Sequence, residues 1–188
     1  MTRQFSLFDD GPKLPDGFKY QPALITEADE QELLEHIRGL PFREFEFHGF
    51  TGKRRVISFG WKYDFNDREL QKVDDIPGFL LSLRDLAAQF AGTEASAFQH
   101  ALVTEYGPGA AIGWHKDKSV FGQVIGISLL SACVFRLRRS VGTRWDRVSI
   151  TAEARSAYLL SGPARTEWEH SIPPVDALRY SITFRNVV

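Results

Sequence analysis

The segment Arg179-Tyr180-Ser181-Ile182-Thr183-Phe184-Arg185 alternates polar and apolar residues without a break, the pattern of a β-strand whose two faces meet different surroundings. Arg179, Ser181, Thr183 and Arg185 share one face. Tyr180, Ile182 and Phe184 share the other, where they can pack against a second layer. Two arginines turned toward a protein interior need anionic partners. Six residues of strand span about 20 Å, so side chains leaning toward each other can bracket a small dianion and a metal lying between them. A dicarboxylate suits this, because the planar guanidinium fork matches a carboxylate in bidentate fashion. An edge strand with solvated arginines would show the same alternation, and the segment alone leaves both readings open.

Working outward, His115-Lys116-Asp117 is an H-x-D step, and His170 follows later in the chain. On an extended backbone residues i and i+2 share a face, with Cα atoms about 6.6 Å apart, so His115 and Asp117 can reach one ion while Lys116 points away. His170 has to come from a strand brought alongside. Two imidazoles and one carboxylate make the facial set of non-haem Fe(II) oxygenases, which leaves coordination positions open for chemistry. A chance H-x-D is expected about once in every four such chains, so the step gains weight only from its company.

That company resembles the AlkB family of Fe(II)- and 2-oxoglutarate-dependent dioxygenases. The matching pieces, in order, are Tyr106-Gly107-Pro108-Gly109, His115-Lys116-Asp117-Lys118, Trp168-Glu169-His170 and Arg179 to Arg185 with its Thr183-Phe184-Arg185 ending. The resemblance covers most of the chain. It implies that His115, Asp117 and His170 ligate Fe(II), that Arg179 pairs with the distal carboxylate of 2-oxoglutarate, and that Tyr106 hydrogen-bonds the same carboxylate. Arg185 is implied to lie near the metal end of the cosubstrate, steadying its carboxylate or Asp117. Thr104 and Ser181 stand where many members carry asparagine; a hydroxyl can donate to a carboxylate as an amide does, with shorter reach. The segment Ser58 to Tyr63 corresponds to the family's nucleotide-recognition lid, placed over residues 42–66. Trp61 and Tyr63 alternate onto one face there, and Trp168 is expected beside the same pocket, where aromatic surfaces stack a flipped base. Trp114 should face away from the metal into the core.

The activity implied by the resemblance is oxidative dealkylation of N-alkylated bases in DNA or RNA, single-stranded for preference, consuming O2 and 2-oxoglutarate. Two other readings stay open: a 2-oxoglutarate-dependent hydroxylase or demethylase of protein or a small molecule, and a non-catalytic jelly-roll binding module.

Composition agrees with one enzyme domain. The chain has 188 residues, 43% of them hydrophobic, enough for one core. With 15 Phe and 4 Trp it suits sheets better than a helical bundle. Cys133 is the single cysteine; it forms no internal disulfide, sits in the apolar run 129–135, and fits a reducing cytoplasm. Neither a signal-peptide run nor eighteen consecutive apolar residues is present in the sequence, so a soluble cytoplasmic protein is expected, without membrane association and monomeric. The formal net charge of −1 argues against indiscriminate adhesion to nucleic acid. Local clusters remain: Lys53-Arg54-Arg55, read as preceding a strand, and Arg136, Arg138, Arg139, Arg144 and Arg147 around a turn at Val141-Gly142-Thr143. The hairpin arginines either clamp phosphates or solvate a sheet edge.

Residues 1–20, rich in Asp, Gly and Pro, read as an extended arm before a catalytic domain over 21–188. Within the arm Gln4-Phe5-Ser6-Leu7-Phe8 resembles the short motif by which bacterial repair proteins bind the DNA sliding clamp, although a tail tucked against its own domain fits the same residues. Thr26, Asp29 and the Leu33, Leu34, Ile37 stripe predict a capped helix ending at Gly39, and Pro77 opens a second running to about Phe90. Strands are expected over 42–50, 55–61, 98–106, 110–116, 123–130, 132–139, 144–150, 155–161, 165–171 and 178–187. The architecture is a mainly β double-stranded β-helix, or jelly roll, with helices backing one sheet.

Overall fold

The computed structural model describes residues 13–47, 50–64 and 67–188; the clamp-like residues 4–8 lie outside them. Thirteen strands and three helices are described: β1 (Phe18–Gln21), α1 (Glu27–Ile37), β2 (Arg43–Phe47), β3 (Phe50–Phe59), β4 (Trp61–Asp64), β5 (Glu69–Lys72), α2 (Leu81–Ala91), β6 (Phe98–Tyr106), β7 (Ile112–His115), β8 (Phe121–Leu129), β9 (Cys133–Val141), β10 (Arg144–Ala152), β11 (Ala157–Leu160), α3 (Gly162–Thr166), β12 (Glu169–Ile172) and β13 (Arg179–Val187). The strand pairings are antiparallel. A seven-stranded sheet runs β1-β11-β8-β13-β6-β3-β2, a four-stranded sheet runs β10-β9-β12-β7, and β4 pairs with β5 apart from both.

The alternation of β13 is explained by its place. It is the middle strand of the large sheet, which rules out the edge reading. Tyr180, Ile182 and Phe184 are buried against a cluster that includes Leu34 and Ile37 of α1 and Leu83 and Ala87 of α2. Arg179, Ser181, Thr183 and Arg185 face the small sheet, with 9% exposure or less. A second cluster fills the space between the sheets, built from Phe18, Tyr106, Phe135, Leu137, Tyr158, Trp168 and their neighbours. This is the expected jelly roll with helices on one outer face.

Helix α1 starts where its capping residues require. The Thr26 hydroxyl accepts from the Asp29 amide, and the Asp29 carboxylate accepts from the Thr26 amide, so two backbone donors at the helix start are satisfied reciprocally. Helix α2 follows a short 3₁₀ turn and ends at Gly92 in the left-handed region. Among the described residues no helix is long and apolar enough to cross a membrane.

Several expectations need correcting. Phe18–Gln21, inside the stretch read as an arm, pair with Ala157–Leu160 as the edge of the large sheet. The lid divides: β2 and β3 belong to the large sheet, while β4 forms a separate hairpin with β5, beyond residue 66. Lys53, Arg54 and Arg55 lie within β3 rather than before it. Residues 162–166 form a helical turn, not the start of a strand. Proline and glycine there favour a helix start, and strand β12 forms only where Glu169 meets Arg138.

Gly60 hinges the β4–β5 hairpin on the large sheet. Its φ is +75°, and a Cβ would fall 1.9 Å from the Gln99 carbonyl oxygen; its amide donates to Asp74 O at 2.6 Å, so the backbone is held from both sides. Gly60→Ala should cost about 2 kcal/mol or more, because left-handed strain and a backbone clash add. For a chain of this size that lowers the melting temperature by roughly 4–8 °C. A melting temperature within about one degree of wild type would contradict the hinge.

Candidate active site

His115 ends β7 and is the direct cross-strand partner of His170 on β12, so the two rings stand side by side with centroids 4.2 Å apart. Asp117 enters from the loop after β7. The nitrogen and oxygen ligand atoms of His115, Asp117 and His170 all lie within 4.8 Å of one another, close enough to share one ion.

Each donor is prepared by its neighbours. His115 Nδ1 donates to the Gly113 carbonyl at 2.8 Å, which leaves Nε2 with its lone pair for a metal. Asp117 Oδ1 accepts from Arg185 Nε at 2.8 Å and Nη2 at 2.7 Å. Asp117 Oδ2 is buried without a hydrogen-bond partner, 3.5 Å from His170 Nε2. Burial works to raise the Asp117 pKa, but Arg185, followed by His170, His115 and Arg165, outweighs it and holds the carboxyl well below its usual range. Burial, reinforced by His115, pushes His170 down to about 3. Burial also lowers His115. At neutral pH the contact between Asp117 and His170 is therefore no ion pair but a carboxylate beside a neutral imidazole, both offering electron pairs. That donor set fits Fe(II).

These shifts fix the pH behaviour of the metal-free protein. Both histidines have folded pKa values below their unfolded ones, so their contribution to stability is complete above about pH 6.5. As the pH falls, the unfolded chain takes up protons that folded His170 refuses until about pH 3, and stability is lost progressively across that window. The Asp117 contribution persists lower still, until the pH falls through its depressed value. The apoprotein should therefore melt at a lower temperature at pH 5.5 than at pH 7.5. Equal melting temperatures would refute the neutral buried imidazoles.

Arg179 is fully buried. Its Nε donates to Ser128 Oγ at 3.0 Å, its guanidinium lies 5.0 Å from the Tyr106 ring centre, and Nη1 and Nη2 have no hydrogen-bond partner. A buried cation with two unsatisfied parallel donors calls for a carboxylate. Hydroxyls gather beside it: Ser181 is flanked across the strands by Thr104 and Ser128, each 5% exposed or less. The Tyr158 ring covers Gly126, where a Cβ would meet the ring at 2.2 Å; burial holds its phenol protonated, with its pKa raised, and Arg179 opposes the shift. The residues present thus fit a dicarboxylate between Arg179 and the metal donors.

Four residues of this centre were not anticipated. Ser128 binds Arg179, and Tyr158 lines the inner face. His100 stands 3.4 Å from Arg185 Nη1. Arg165 donates to the carbonyls of Lys118 and Phe121 at 2.6 Å each, bracing the loop that carries Asp117. Ser128 could have been noticed as the one hydroxyl within the apolar run 124–130. Of the aromatic expectations, the Tyr63 ring has Lys118 Nζ 5.2 Å from its centre, and Trp61 is half-buried on the same strand. Trp168 is 6% exposed within the core between the sheets. Trp114 is not core: it lies on the outer face of the small sheet, and Arg138 is stacked between it and Trp145, at 4.4 and 4.3 Å. Of the five hairpin arginines, Arg138 pairs with Glu169 and Arg139 with Glu167 and Asp146, while Arg136 donates to Ser171.

A jelly roll that holds two histidines and an aspartate at one end, with a buried arginine behind them, defines a non-haem Fe(II) oxygenase. The family model of the 2OG-Fe(II) oxygenase superfamily matches residues 17–185, and the chain belongs to that family, whose members use Fe(II), 2-oxoglutarate and O2. It is 27% identical over 197 residues to the "Alkylated DNA repair protein ALKBH8 homolog" of Arabidopsis thaliana, covering 89% of this chain and 54% of that protein. It is 26% identical to the "tRNA (carboxymethyluridine(34)-5-O)-methyltransferase ALKBH8" of Macaca fascicularis, covering 85% of this chain and 24% of that protein. The chain thus spans about half or less of the length of these relatives. The structure of OsALKBH1 shares the fold, with a TM-score of 0.68 at 16% identity over 93% of this chain and 98% of that one. These likenesses bear out the AlkB resemblance.

Proposed function

We propose that this chain carries out oxidative dealkylation of N-alkylated bases in DNA or RNA, acting on unpaired bases. The observation that carries the reading is the β4–β5 hairpin, whose Tyr63 ring is met by the ammonium of Lys118, the residue after the metal donor Asp117. An aromatic surface there can stack a base at about 1–3 kcal/mol. The relatives named for alkylated-DNA repair and for tRNA modification support the same substrate class.

When bound, iron and 2-oxoglutarate supply the oxidising power: one atom of O2 ends in succinate, with loss of CO2, and the other in the alkyl carbon, which leaves the base nitrogen as formaldehyde. The protein's own residues bind, orient and exclude water. Arg179 holds the far carboxylate, Ser181 and Thr104 offer hydroxyls beside it, and Arg185 keeps Asp117 ionised and fixed in place. No side chain is required as a general acid or base. A free buried Cys133 suits action in a reducing cytoplasm. If residues 4–8 dock on a sliding clamp, a peptide of residues 1–12 competes for the clamp groove; absence of binding in a titration removes that partner.

The test is anaerobic reconstitution with Fe(II) and 2-oxoglutarate, then oxygen, beside methylated single-stranded DNA, duplex DNA and RNA. Formaldehyde equal to succinate on a single-stranded polymer is the expected result. Succinate without formaldehyde on all three would favour a protein or small-molecule substrate.

A further inference from the structure

Across the inner face of the large sheet three adjacent strands present Arg54, Tyr106 and Arg179 in one row, since Arg54 is the register partner of Tyr106 and Tyr106 of Arg179. Arg55, the next residue, points to the opposite face and is matched by Glu105 at 2.6 Å. Arg54 is different. It is half-buried, its guanidinium rests 3.9 Å over the Phe45 ring, and among the described residues it forms no ion pair. Burial lowers its pKa and Tyr106 opposes that. On the same sheet face as Tyr106 and Arg179, Arg54 points to the side that carries the cosubstrate anchor.

The rest of the site adds positive charge. Lys116 and Arg165 line a cleft beside Asp117 whose lining does not include Arg54; Lys116 donates to the Thr166 carbonyl and Arg165 to the carbonyls of Lys118 and Phe121, so among the described residues neither forms an ion pair. Asp117 is the single acid among the cavity-lining residues, and Arg185 already takes its charge. Asp64 and Glu69 of the lid hairpin are cross-strand partners one position out of step with Tyr63 and Leu70, so they occupy the other face. Glu105 lies on the helix side. Iron and a dicarboxylate cancel, Asp117 and Arg185 cancel, and Arg179 leaves the loaded site positive, so Arg54 and Arg165 add to a charge that is already positive.

We propose that Arg54 makes this site selective for neutral, carbonyl-bearing alkylated bases, the N3-alkylated uracil or thymine and N1-alkylated guanine class, and against cationic ones such as N1-alkylated adenine and N3-alkylated cytosine. The inference rests on the base-dealkylation reading and deepens it. The cationic lesions keep a full positive charge at neutral pH and would bring it toward Arg54, which among the described residues has no carboxylate paired to it. A uracil-type base carries two carbonyl oxygens and no net charge, and Arg54 can donate to either.

The test uses one single-stranded oligonucleotide with 3-methyluracil, 1-methylguanine, 1-methyladenine or 3-methylcytosine at the same position. Binding is followed by fluorescence anisotropy without oxygen on protein loaded with Fe(II) and 2-oxoglutarate, and formaldehyde release is measured after oxygen is admitted. Neutral bases should bind and turn over at least about tenfold better than cationic ones. Arg54→Glu should reverse the ratio and Arg54→Lys should keep its direction. Because the readout is a ratio within each variant, partial loss of folded protein does not mimic it. Cationic bases preferred by the wild type, or a ratio unmoved by Arg54→Glu, would overturn this inference alone. Turnover of none of the four would overturn the dealkylation reading and this one with it.

Discussion

Asp117→Ala should abolish succinate formation and, unlike His115→Ala, should also destabilise the metal-free protein by about 3–5 kcal/mol. Both variants delete a metal donor, so both lose turnover. They differ in what remains. Asp117 Oδ1 receives two N–H groups of Arg185 at 2.7–2.8 Å, and the Arg185 and Asp117 side chains are 11% and 6% exposed. Removing the carboxylate strands a buried guanidinium left with neutral His100 and the Phe121 ring. Removing the His115 ring breaks one hydrogen bond to a carbonyl and strands no charge. Melting of the two apoproteins beside succinate assays checks this. Turnover that persists in both variants would refute the metal assignment, and equal stability would refute the role of Asp117 as the counter-ion of Arg185.

Arg179→Met should raise the 2-oxoglutarate concentration needed for half-maximal turnover by roughly 10- to 150-fold, the loss of a charge-assisted pair worth about 1.5–3 kcal/mol. The apoprotein should not lose stability in proportion. Arg179 Nη1 and Nη2 have no partner in the metal-free chain, and a flexible apolar side chain in their place removes a buried charge that only the cosubstrate can satisfy. Steady-state kinetics against cosubstrate, with a thermal melt of the same sample, separates binding from folding. An unchanged cosubstrate requirement would place the dicarboxylate elsewhere.

The parts of this fold that were legible in the sequence are those whose two faces differ. β13 lies between a helix-backed core and a polar cavity, so its composition alternates over seven residues. The helices announced themselves through Thr26, Asp29 and Pro77. β11 did not reveal its inner residue, because all four of its side chains are buried and Tyr158 reads there as one more core residue. β1 and β5 are four-residue edge strands whose formation depends on partners far along the chain. α3 was hidden because a single helical turn has no period to detect. The metal ligands could be named from their residue types and the family pattern, while their preparation could not: the Arg165 brace and the His100 contact arise only when β6, β8 and α3 come together. The arginine-rich hairpin misled in the other direction, since Glu167 and Glu169, which engage Arg139 and Arg138, come from a different strand region.

The central claim is that His115, Asp117 and His170 share one iron with the cosubstrate anchored on Arg179. Crystals grown without oxygen in the presence of Fe(II) and 2-oxoglutarate, measured by anomalous diffraction at the iron edge, test it most directly. The account predicts one anomalous peak at coordination distance from the two imidazoles and from Asp117, with the far carboxylate of 2-oxoglutarate paired to Arg179 Nη1 and Nη2. A peak elsewhere, or a cosubstrate that leaves both of those nitrogens unpaired, would contradict it.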